Sequence, residues 1–521
     1  MIYIYIILFY LALSASFRHD VQMFQQNSYR YSRYFRWLKS NIAAEISKLL
    51  LLLPLSIYLL CCKGETNLLL ILTSIAYLLV SVLEFRKRFK VKIAYTDRVK
   101  RLLLTALLIS LIVVGNGYLL LDPFSFVVVT TTFVLISNLI LLLANIVNSP
   151  FEYFITQWYI NDARKIIRSR KDLIIIGITG SYGKTSTKNY LYRMLTEKYN
   201  VLVTPGNYNT LLGVVRTIRE QLRPQHQIFI VEMGAKQRGD IKEICDLVHP
   251  SIGIITSVGE AHLETFKSIE NIQKTKFELF DSLPANGFGV ANFDSENIKT
   301  YGYNSHCPIV GYSIDETTAN VRAESVRYNA LGVSFDLTLG GDVVNFSSPL
   351  LGAGNVLNLI AGVIVASDLG VSSNHLKRAI KQLQPVTHRL SINRAGGVTI
   401  LDDAYNSNPA GAKMALDVLR DFARPEGAKR VIITPGFVEM GQNQYAANYT
   451  LGCQIAASVD YAIVVNRLNR DAIVKGLQDS SFSEDNYFIA DSLDQARLHM
   501  STRLAAGDVI LYENDLPDSF K

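Results

Sequence analysis

The segment Thr179-Gly180-Ser181-Tyr182-Gly183-Lys184-Thr185-Ser186 sets two glycines, a lysine and a run of hydroxyls between two apolar patterns. Leu173 to Ile178 precedes it as a strand; Leu191, Met194 and Leu195 follow at helical spacing. Strand, glycine turn, Lys-Thr and helix is the order of a nucleoside triphosphate site. Backbone N–H groups around Gly180, Ser181 and Gly183 can cradle phosphates at the helix N-terminus. Lys184 supplies positive charge, and the hydroxyls of Thr185 and Ser186 stand where one can reach Mg²⁺. The short spacing G-x-x-G-K-[ST] is met, while Ile178 stands where the longer motif has its first glycine.

Other polar residues fall at the ends of expected strands. Glu232 closes Val231-Glu232-Met233-Gly234-Ala235 at the carboxyl edge of a sheet, where open α/β sheets bind ligands and a carboxylate can hold Mg²⁺. It could equally be a solvated strand end. His262 follows the strand at 252–256 and is either a ligand or a structural histidine. Lys276 sits on a helix that Ser268 caps, on the same stripe as Ile269, Ile272, Leu279 and Phe280, while Lys274 faces away. An ammonium on a buried face is costly, so Lys276 either snorkels, pairs with an acid, or carries out or undergoes chemistry. Thr204-Pro205-Gly206-Asn207-Tyr208-Asn209-Thr210 is a loop placed to grip a substrate, or a plain turn. Leu401-Asp402-Asp403-Ala404-Tyr405-Asn406-Ser407-Asn408-Pro409 is a second polar loop, or an Asx-rich turn with a helix cap.

The elements that must carry these residues divide the 521-residue chain. Apolar stretches Ile2–Phe17, Ile42–Cys62, Leu68–Leu83, Leu102–Leu121 and Phe124–Val147 are candidate membrane spans in a domain of residues 1–150. The first lacks a basic n-region and a cleavage site, so it is read as retained. Ser149-Pro150 is expected to end the fifth span. Residues 151–170 then form a juxtamembrane helix, either amphipathic on the inner surface or packed as an ordinary linker.

Residues 1–171 hold 20 Lys/Arg against 8 Asp/Glu, and the remainder holds 32 against 37. The basic excess therefore flanks the spans: it suits anionic membrane lipid and no nucleic acid. Arg30, Arg33, Arg36 and Lys39 lie in one loop, and Arg86 to Arg101 contains the other basic cluster. The positive-inside rule puts the N-terminus outside and the catalytic part in the cytosol, a multi-pass protein of the inner membrane. Intramembrane charges are limited to Glu45, Lys48 and Glu84. Five cysteines (61, 62, 245, 307, 453) lack metal spacing and read as reduced thiols.

From Lys171 strands at 173–178, 201–203, 228–232, 252–256 and 288–291 alternate with helices, which predicts a mostly parallel sheet in a domain of residues 171–385. Short β-like runs occupy 305–350. A second alternation, at 398–401, 430–433, 461–465, 487–490 and 508–512, predicts a Rossmann-like domain of residues 386–521. The fold class is an α/β soluble part, P-loop domain then Rossmann-like domain, behind a multi-span α-helical membrane domain.

Taken in order, these motifs resemble the Mur ligase family of ATP-dependent amide ligases, over roughly residues 171–521. The phosphate loop, the 204–209 loop, Glu232-Met233-Gly234-Ala235, Ala261-His262-Leu263-Glu264, Lys276-Phe277-Glu278-Leu279-Phe280, Asn355-Val356-Leu357-Asn358, His388-Arg389-Leu390 and the 402–409 loop carry the likeness. Three of these motifs look like the MurF branch, which joins D-Ala-D-Ala to a UDP-linked sugar tripeptide. The resemblance implies ATP, with Lys184 on its β/γ-phosphates, Arg389 on the γ-phosphate, Asn355 at adenine and Asp403 at the ribose. It implies two Mg²⁺ ions, Thr185 and Glu232 at one and His262 assisting the other. Lys276 is then carbamylated, an oxygen ligand in place of a buried cation. Tyr405, Asn406 and Asn408 lie near the amine or ATP, and Asn207 and Asn209 near substrate.

The implied partners are a sugar-peptide cell-wall precursor and an amino acid or dipeptide such as D-Ala-D-Ala. Three departures stand out. A membrane domain replaces the family's soluble UDP-binding domain, Gly354 replaces a histidine, and Pro435-Gly436-Phe437-Val438-Glu439-Met440-Gly441 replaces a G-D-M loop. A Mur-type ligase building another envelope polymer or poly-amino acid remains an alternative, as does an ATP-regulated transporter or sensor.

Overall fold

The computed structural model describes residues 1–27, 29–40, 46–61, 65–87, 93–261, 263–302, 305–329, 332–405 and 407–516. His262 and Asn406 lie outside them, as do Glu45, Cys62 and part of each basic loop. The chain forms two compact units, Met1–Trp158 and Tyr159–Leu516.

Among the described residues of the N-terminal region, four helices are long and apolar enough to cross a membrane: Ile2–Gln26, Thr66–Arg86, Asp97–Leu120 and Ser137–Arg168. Two of the five expected spans differ. The second is broken into Ile46–Leu49 and Leu52–Cys61. Pro54 lacks the N–H that would bond the carbonyl of Leu50, so a helix cannot run through there undisturbed. The fifth is split at Ile136 into Pro123–Leu135 and Ser137–Arg168. Thr130 and Thr132 turn their hydroxyls back on the carbonyls of Phe126 and Val128, at 3.0 and 2.8 Å, a contact that bends helices. Nor does Pro150 end a helix: Ser137–Arg168 runs through it and takes in the expected linker. The carbonyl that Pro150 leaves free belongs to Ile146, on the exposed face of the helix. Asp122 starts Pro123–Leu135 as a cap, accepting from Phe124 and Ser125 N–H.

The first helix also outruns its expected end at Phe17 and carries His19 and Asp20 into the helical core. There Lys48 Nζ lies 3.5 Å from Asp20 and donates to Ser137 Oγ at 3.0 Å, and Ser137 donates to Asp20 Oδ2 at 2.5 Å. The expectation of very few intramembrane charges thus missed an acid that pairs with Lys48.

In the second unit, near-continuous apolar runs give strands buried on both faces, as parallel sheets require. The central sheet comprises β1 (Ile174–Thr179), β2 (Val201–Val203), β3 (Ile228–Glu232), β4 (Ile252–Ile255), β5 (Phe288–Asn292), β6 (Ile309–Ser313) and β7 (Val321–Arg322). Its order is β2-β3-β1-β4-β5-β6-β7, with every pairing parallel. β8 (Glu324–Asn329), β9 (Gly332–Leu339) and β10 (Asp342–Ser348) form an antiparallel sheet, the β-like stretch expected at 305–350. The buried helix Ala353–Asp368 packs between this region and the helix after β1.

The last sheet has β11 (Ser391–Ala395), β12 (Val398–Asp403), β13 (Arg430–Thr434), β14 (Tyr461–Val465), β15 (Tyr487–Ala490) and β16 (Val509–Glu513), in the order β11-β12-β16-β13-β14-β15. Only β11 is antiparallel to its neighbour.

Leu279, from the helix Ile269–Asp281, is fully buried against β1, where Gly177 has no side chain to keep it off. Leu279→Ala is expected to cost about 2–5 kcal/mol. A lowered unfolding midpoint of the purified protein would show it; an unchanged midpoint would contradict this packing.

Candidate active site

β1 lies between β3 and β4, and the chain leaves it first to one side and then to the other. The crevice outside its carboxyl end is therefore the switch point at which such sheets bind ligands. The loop after β1, the end of β3 and the loop after β4 meet there. Ile178 is the register partner of Glu232, so the carboxylate leaves the sheet beside the start of the phosphate loop.

Gly180 and Gly183 have φ of 150° and 80°, and Gly183 caps the helix Lys184–Leu195. A Cβ on Gly180 would collide with the Thr256 hydroxyl, and one on Gly183 with the Asn358 amide oxygen. Both places require glycine on backbone and on space. Ser257 shapes the loop: its carbonyl accepts from Ser181 N–H and its hydroxyl from Tyr182 N–H, each at 2.8 Å. Ser181 Oγ in turn donates to Gly259 O at 2.9 Å. Lys184 Nζ folds over the loop, donating to Gly180 O at 2.5 Å and Ser181 O at 3.2 Å. Burial lowers the Lys184 pKa to about 8, with Glu232 opposing the shift and Arg389 adding to it. Ser186 is buried in the first turn of the same helix.

Glu232, 1% exposed, is the hub. Its Oε1 accepts from Thr185 Oγ1 and from Asn209 Nδ2, each at 3.1 Å. Its Oε2 lies 2.9 Å from Lys188 Nζ. Burial works against its charge, but Lys188 and then Lys184 hold the carboxyl below its usual range. Thr185 and Glu232 thus present hard oxygen donors side by side next to a phosphate loop. That donor set fits Mg²⁺, which takes one or two protein oxygens and completes its shell with phosphate and water.

Lys276 is 3% exposed, as its place on the apolar stripe requires, and Lys274 is exposed. Burial first, and then the neighbouring Lys184, drive its pKa well below the usual lysine value, against the weaker pull of Asp240 and Glu278. A lowered pKa favours the amine form of a lysine, which is the nucleophilic one. Ser268 caps this helix as expected, accepting from Asn271 N–H at 3.3 Å.

In the C-terminal domain Arg389 stacks on Tyr405, 4.3 Å from the ring centre, and its charge is felt at both Lys184 and Asp403. Asp403 Oδ1 accepts from Leu390 N–H at 3.0 Å. Burial pushes the Asp403 carboxyl up to about 6, Arg389 opposing. Glu513 is its register partner on β16, fully buried and hydrogen-bonded by Ser407; burial and Asp403 push its carboxyl well up. Two buried carboxylates this close oppose each other's ionisation.

Two expected contacts are placed differently. Asn408 accepts from Gly411 N–H at 2.9 Å and caps the helix Pro409–Asp421, the local role its loop also allowed. Asn355 is engaged inside the protein, accepting from Tyr190 OH and donating to Leu351 O, both at 2.8 Å. Asn358, one turn on, lines a cavity of about 920 Å³ together with Asn292, Asn297 and Asn329. That cavity runs from Tyr182 and Gly183 past Leu357 to Met414 and Val418, so it has room for a nucleoside beside the loop. Lys184, Glu232 and Lys276 are not on its wall. Asn207 is exposed in its loop, where its carbonyl accepts from Asn209 N–H at 2.7 Å. The residues that sequence reasoning passed over are Ser257, Lys188, Asn358 and Glu513. Only Asn358 had a signal, as the last residue of an Asn-x-x-Asn already singled out.

Residues 178–366 match the Mur ligase middle domain, and residues 388–512 match the Mur ligase glutamate ligase domain. The UDP-N-acetylmuramoyl-tripeptide--D-alanyl-D-alanine ligase of Escherichia coli K12 is 27% identical over 334 residues, 62% of this chain and 73% of that one. That of Mycobacterium tuberculosis H37Rv is 31% identical over 359 residues, 65% of this chain and 70% of that one. Among solved structures, MurF from Acinetobacter baumannii has a TM-score of 0.60 at 24% identity, covering 68% of this chain and 76% of that one. MurF ligase from Thermotoga maritima in complex with ADP has 0.60 at 23%, covering 69% and 80%. These two share the fold. The chain belongs to the Mur ligase family, as a MurF-type ATP-dependent acid–amino-acid ligase.

Proposed function

We propose that the protein joins D-Ala-D-Ala to a UDP-N-acetylmuramoyl-tripeptide in peptidoglycan precursor synthesis, from a membrane anchor. The carrying observation is the convergence of Thr185, Asn209 and Lys188 on the buried Glu232 beside the phosphate loop, with Lys276 buried near Lys184. The names of the relatives support the substrate pair.

On this reading Lys184 leaves its loop carbonyls for the β/γ-phosphates of ATP, and Arg389 meets the γ-phosphate from the other domain. Asp403 accepts from the ribose hydroxyls, and the cavity beside Asn358 holds the base. Thr185 and Glu232 would hold Mg²⁺, which would supply positive charge against the phosphates. The substrate carboxylate attacks the γ-phosphorus; an O–P bond forms as the bond to ADP breaks. The amine then attacks the acyl carbon, a C–N bond forms, the nitrogen loses a proton and phosphate leaves. Tyr405, Asn207 and Asn209 border the space where acceptor and amine meet; Asn406 is assigned there, and His262 to a second Mg²⁺, on their motifs alone. Neutral Lys276 adds to CO₂, forming an N–C bond and releasing a proton; the carbamate is an oxygen ligand for a second Mg²⁺.

The apolar helices of residues 1–158 support anchoring. We place both basic stretches, 30–39 and 86–101, and the catalytic unit on the cytosolic side, with the N-terminus outside and the broken helices of residues 46–61 crossing together. Domain limits at 150, 170 and 385 are kept as functional divisions, although one helix spans the first two.

Purified protein given Mg-ATP, UDP-N-acetylmuramoyl-tripeptide and D-Ala-D-Ala is expected to release ADP and form the amide. ATP use without that product would overturn the substrate pair. Lys276→Ala is expected to lower kcat by about 10²–10³-fold, with partial rescue by short carboxylic acids; full activity would remove the carbamate. The KM for ATP is expected to rise as pH falls through about 6, because Asp403 is ionised only above that value. Asp403→Asn should abolish this dependence, and its survival in the variant would assign it elsewhere.

A further inference from the structure

Lys188 is 1% exposed, in the first turns of the helix that the phosphate loop opens. Its ammonium meets three oxygens: Thr204 O at 2.8 Å, Gly206 O at 2.6 Å and Glu232 Oε2 at 2.9 Å. Two of its donors go to the carbonyls and its charge is balanced by the ion pair with Glu232, so this buried ammonium is not free to reach phosphate. Its three partners belong to two other elements. Thr204 and Gly206 open the loop that carries Asn207 and Asn209, and Glu232 ends β3. The same loop closes on Glu232 from the other side, where Asn209 Nδ2 reaches Oε1 at 3.1 Å and Asn209 O accepts from Gly234 N–H at 2.7 Å. Thr204 Oγ1 also accepts from Glu232 N–H at 3.1 Å.

A carboxylate can rotate about its last bond. With Oε2 held by Lys188, Oε1 is left facing Thr185 Oγ1 at 3.1 Å. We propose that Lys188 is a positioning residue that couples the two halves of the site. It fixes Glu232 so that Oε1 faces the Mg²⁺-nucleotide, and it clamps the 204–210 loop to that same carboxylate. Occupancy of the metal-nucleotide site then orders the loop, and the ordered loop presents Asn207 and Asn209 to the acceptor. Removing the ammonium leaves two carbonyls and a buried carboxylate oxygen without their partner, and Glu232 free to turn. This inference rests on the nucleotide site proposed above.

The test is ADP binding by calorimetry, with and without Mg²⁺, in the full-length protein and in Lys188→Met, together with amide exchange across residues 204–210. The wild-type protein is expected to bind ADP more tightly with Mg²⁺, and Mg-ADP, but not ADP alone, to slow exchange at residues 207–210. Lys188→Met should lose at least ten-fold of the Mg²⁺ enhancement while ADP alone binds as before; in turnover, KM for the acceptor should rise more than KM for ATP. Lys188→Arg, which keeps the charge, should recover part of the enhancement. Should Lys188→Met fail to fold, the exchange experiment on wild-type protein still decides: equal protection with ADP and with Mg-ADP overturns the coupling. An undiminished Mg²⁺ enhancement in folded Lys188→Met also overturns it. Wild-type protein that binds no Mg-ADP would overturn the nucleotide site itself, which separates the two failures.

Discussion

Two lysines crowd one buried carboxylate, and a third feels one of them. Lys184 and Lys188 lie around Glu232 at the carboxyl edge of a parallel sheet, and Lys276, buried as well, feels the charge of Lys184. The Coulomb cost of that excess positive charge, in a medium that screens poorly, is what the site is built around. The protein resolves it in three ways. Lys188 is fully compensated by Glu232 and two carbonyls. Lys184 is brought to about 8, poised between charged and neutral, and rests on loop carbonyls. Lys276 has its pKa driven well down by burial and by Lys184. The pocket that results is short of negative charge, and polyphosphate with its metal ion is the ligand that completes it.

The fold serves this by topology. Because β1 is central and the chain departs from it in both directions, loops from residues far apart in sequence arrive at one edge. Glu232 is fixed by its register with Ile178, the phosphate loop by the serine that follows β4, and Lys276 by the apolar stripe of its helix. The C-terminal sheet repeats the device at lower charge: Asp403 and Glu513 are register partners at its carboxyl edge, the first pushed up to about 6 and the second pushed well up by burial and by Asp403.

Much of this was legible in the sequence because it is written in period and punctuation. Ten of the parallel strands were found to within about two residues, since parallel strands read as unbroken apolar runs; β6 and β7 were read only as part of a β-like stretch, and the antiparallel β11 was missed. Lys276 declared itself by breaking the apolar stripe. Lys188 did not: a lysine two turns into a polar-looking helix has the pattern of a surface residue, and its three oxygen partners come from a loop and a strand end distant in sequence. Glu513 likewise looked like the end of a strand, and only its pairing with Asp403 gives it meaning. In the N-terminal unit, hydropathy measured apolar content but not helix continuity. Pro54 breaks a helix where hydropathy runs on, whereas Pro150 passes inside one, because the consequence depends on where the freed carbonyl points. Asp20 escaped notice because the first helix is longer than its apolar run.

The account stands on one claim, that the γ-phosphate is passed to a substrate carboxylate and not to water. Acceptor labelled with ¹⁸O in its terminal carboxylate decides this in a single turnover. The account predicts that the phosphate released with the amide product carries one ¹⁸O from that carboxylate. Unlabelled phosphate, formed alongside product or without it, would contradict it.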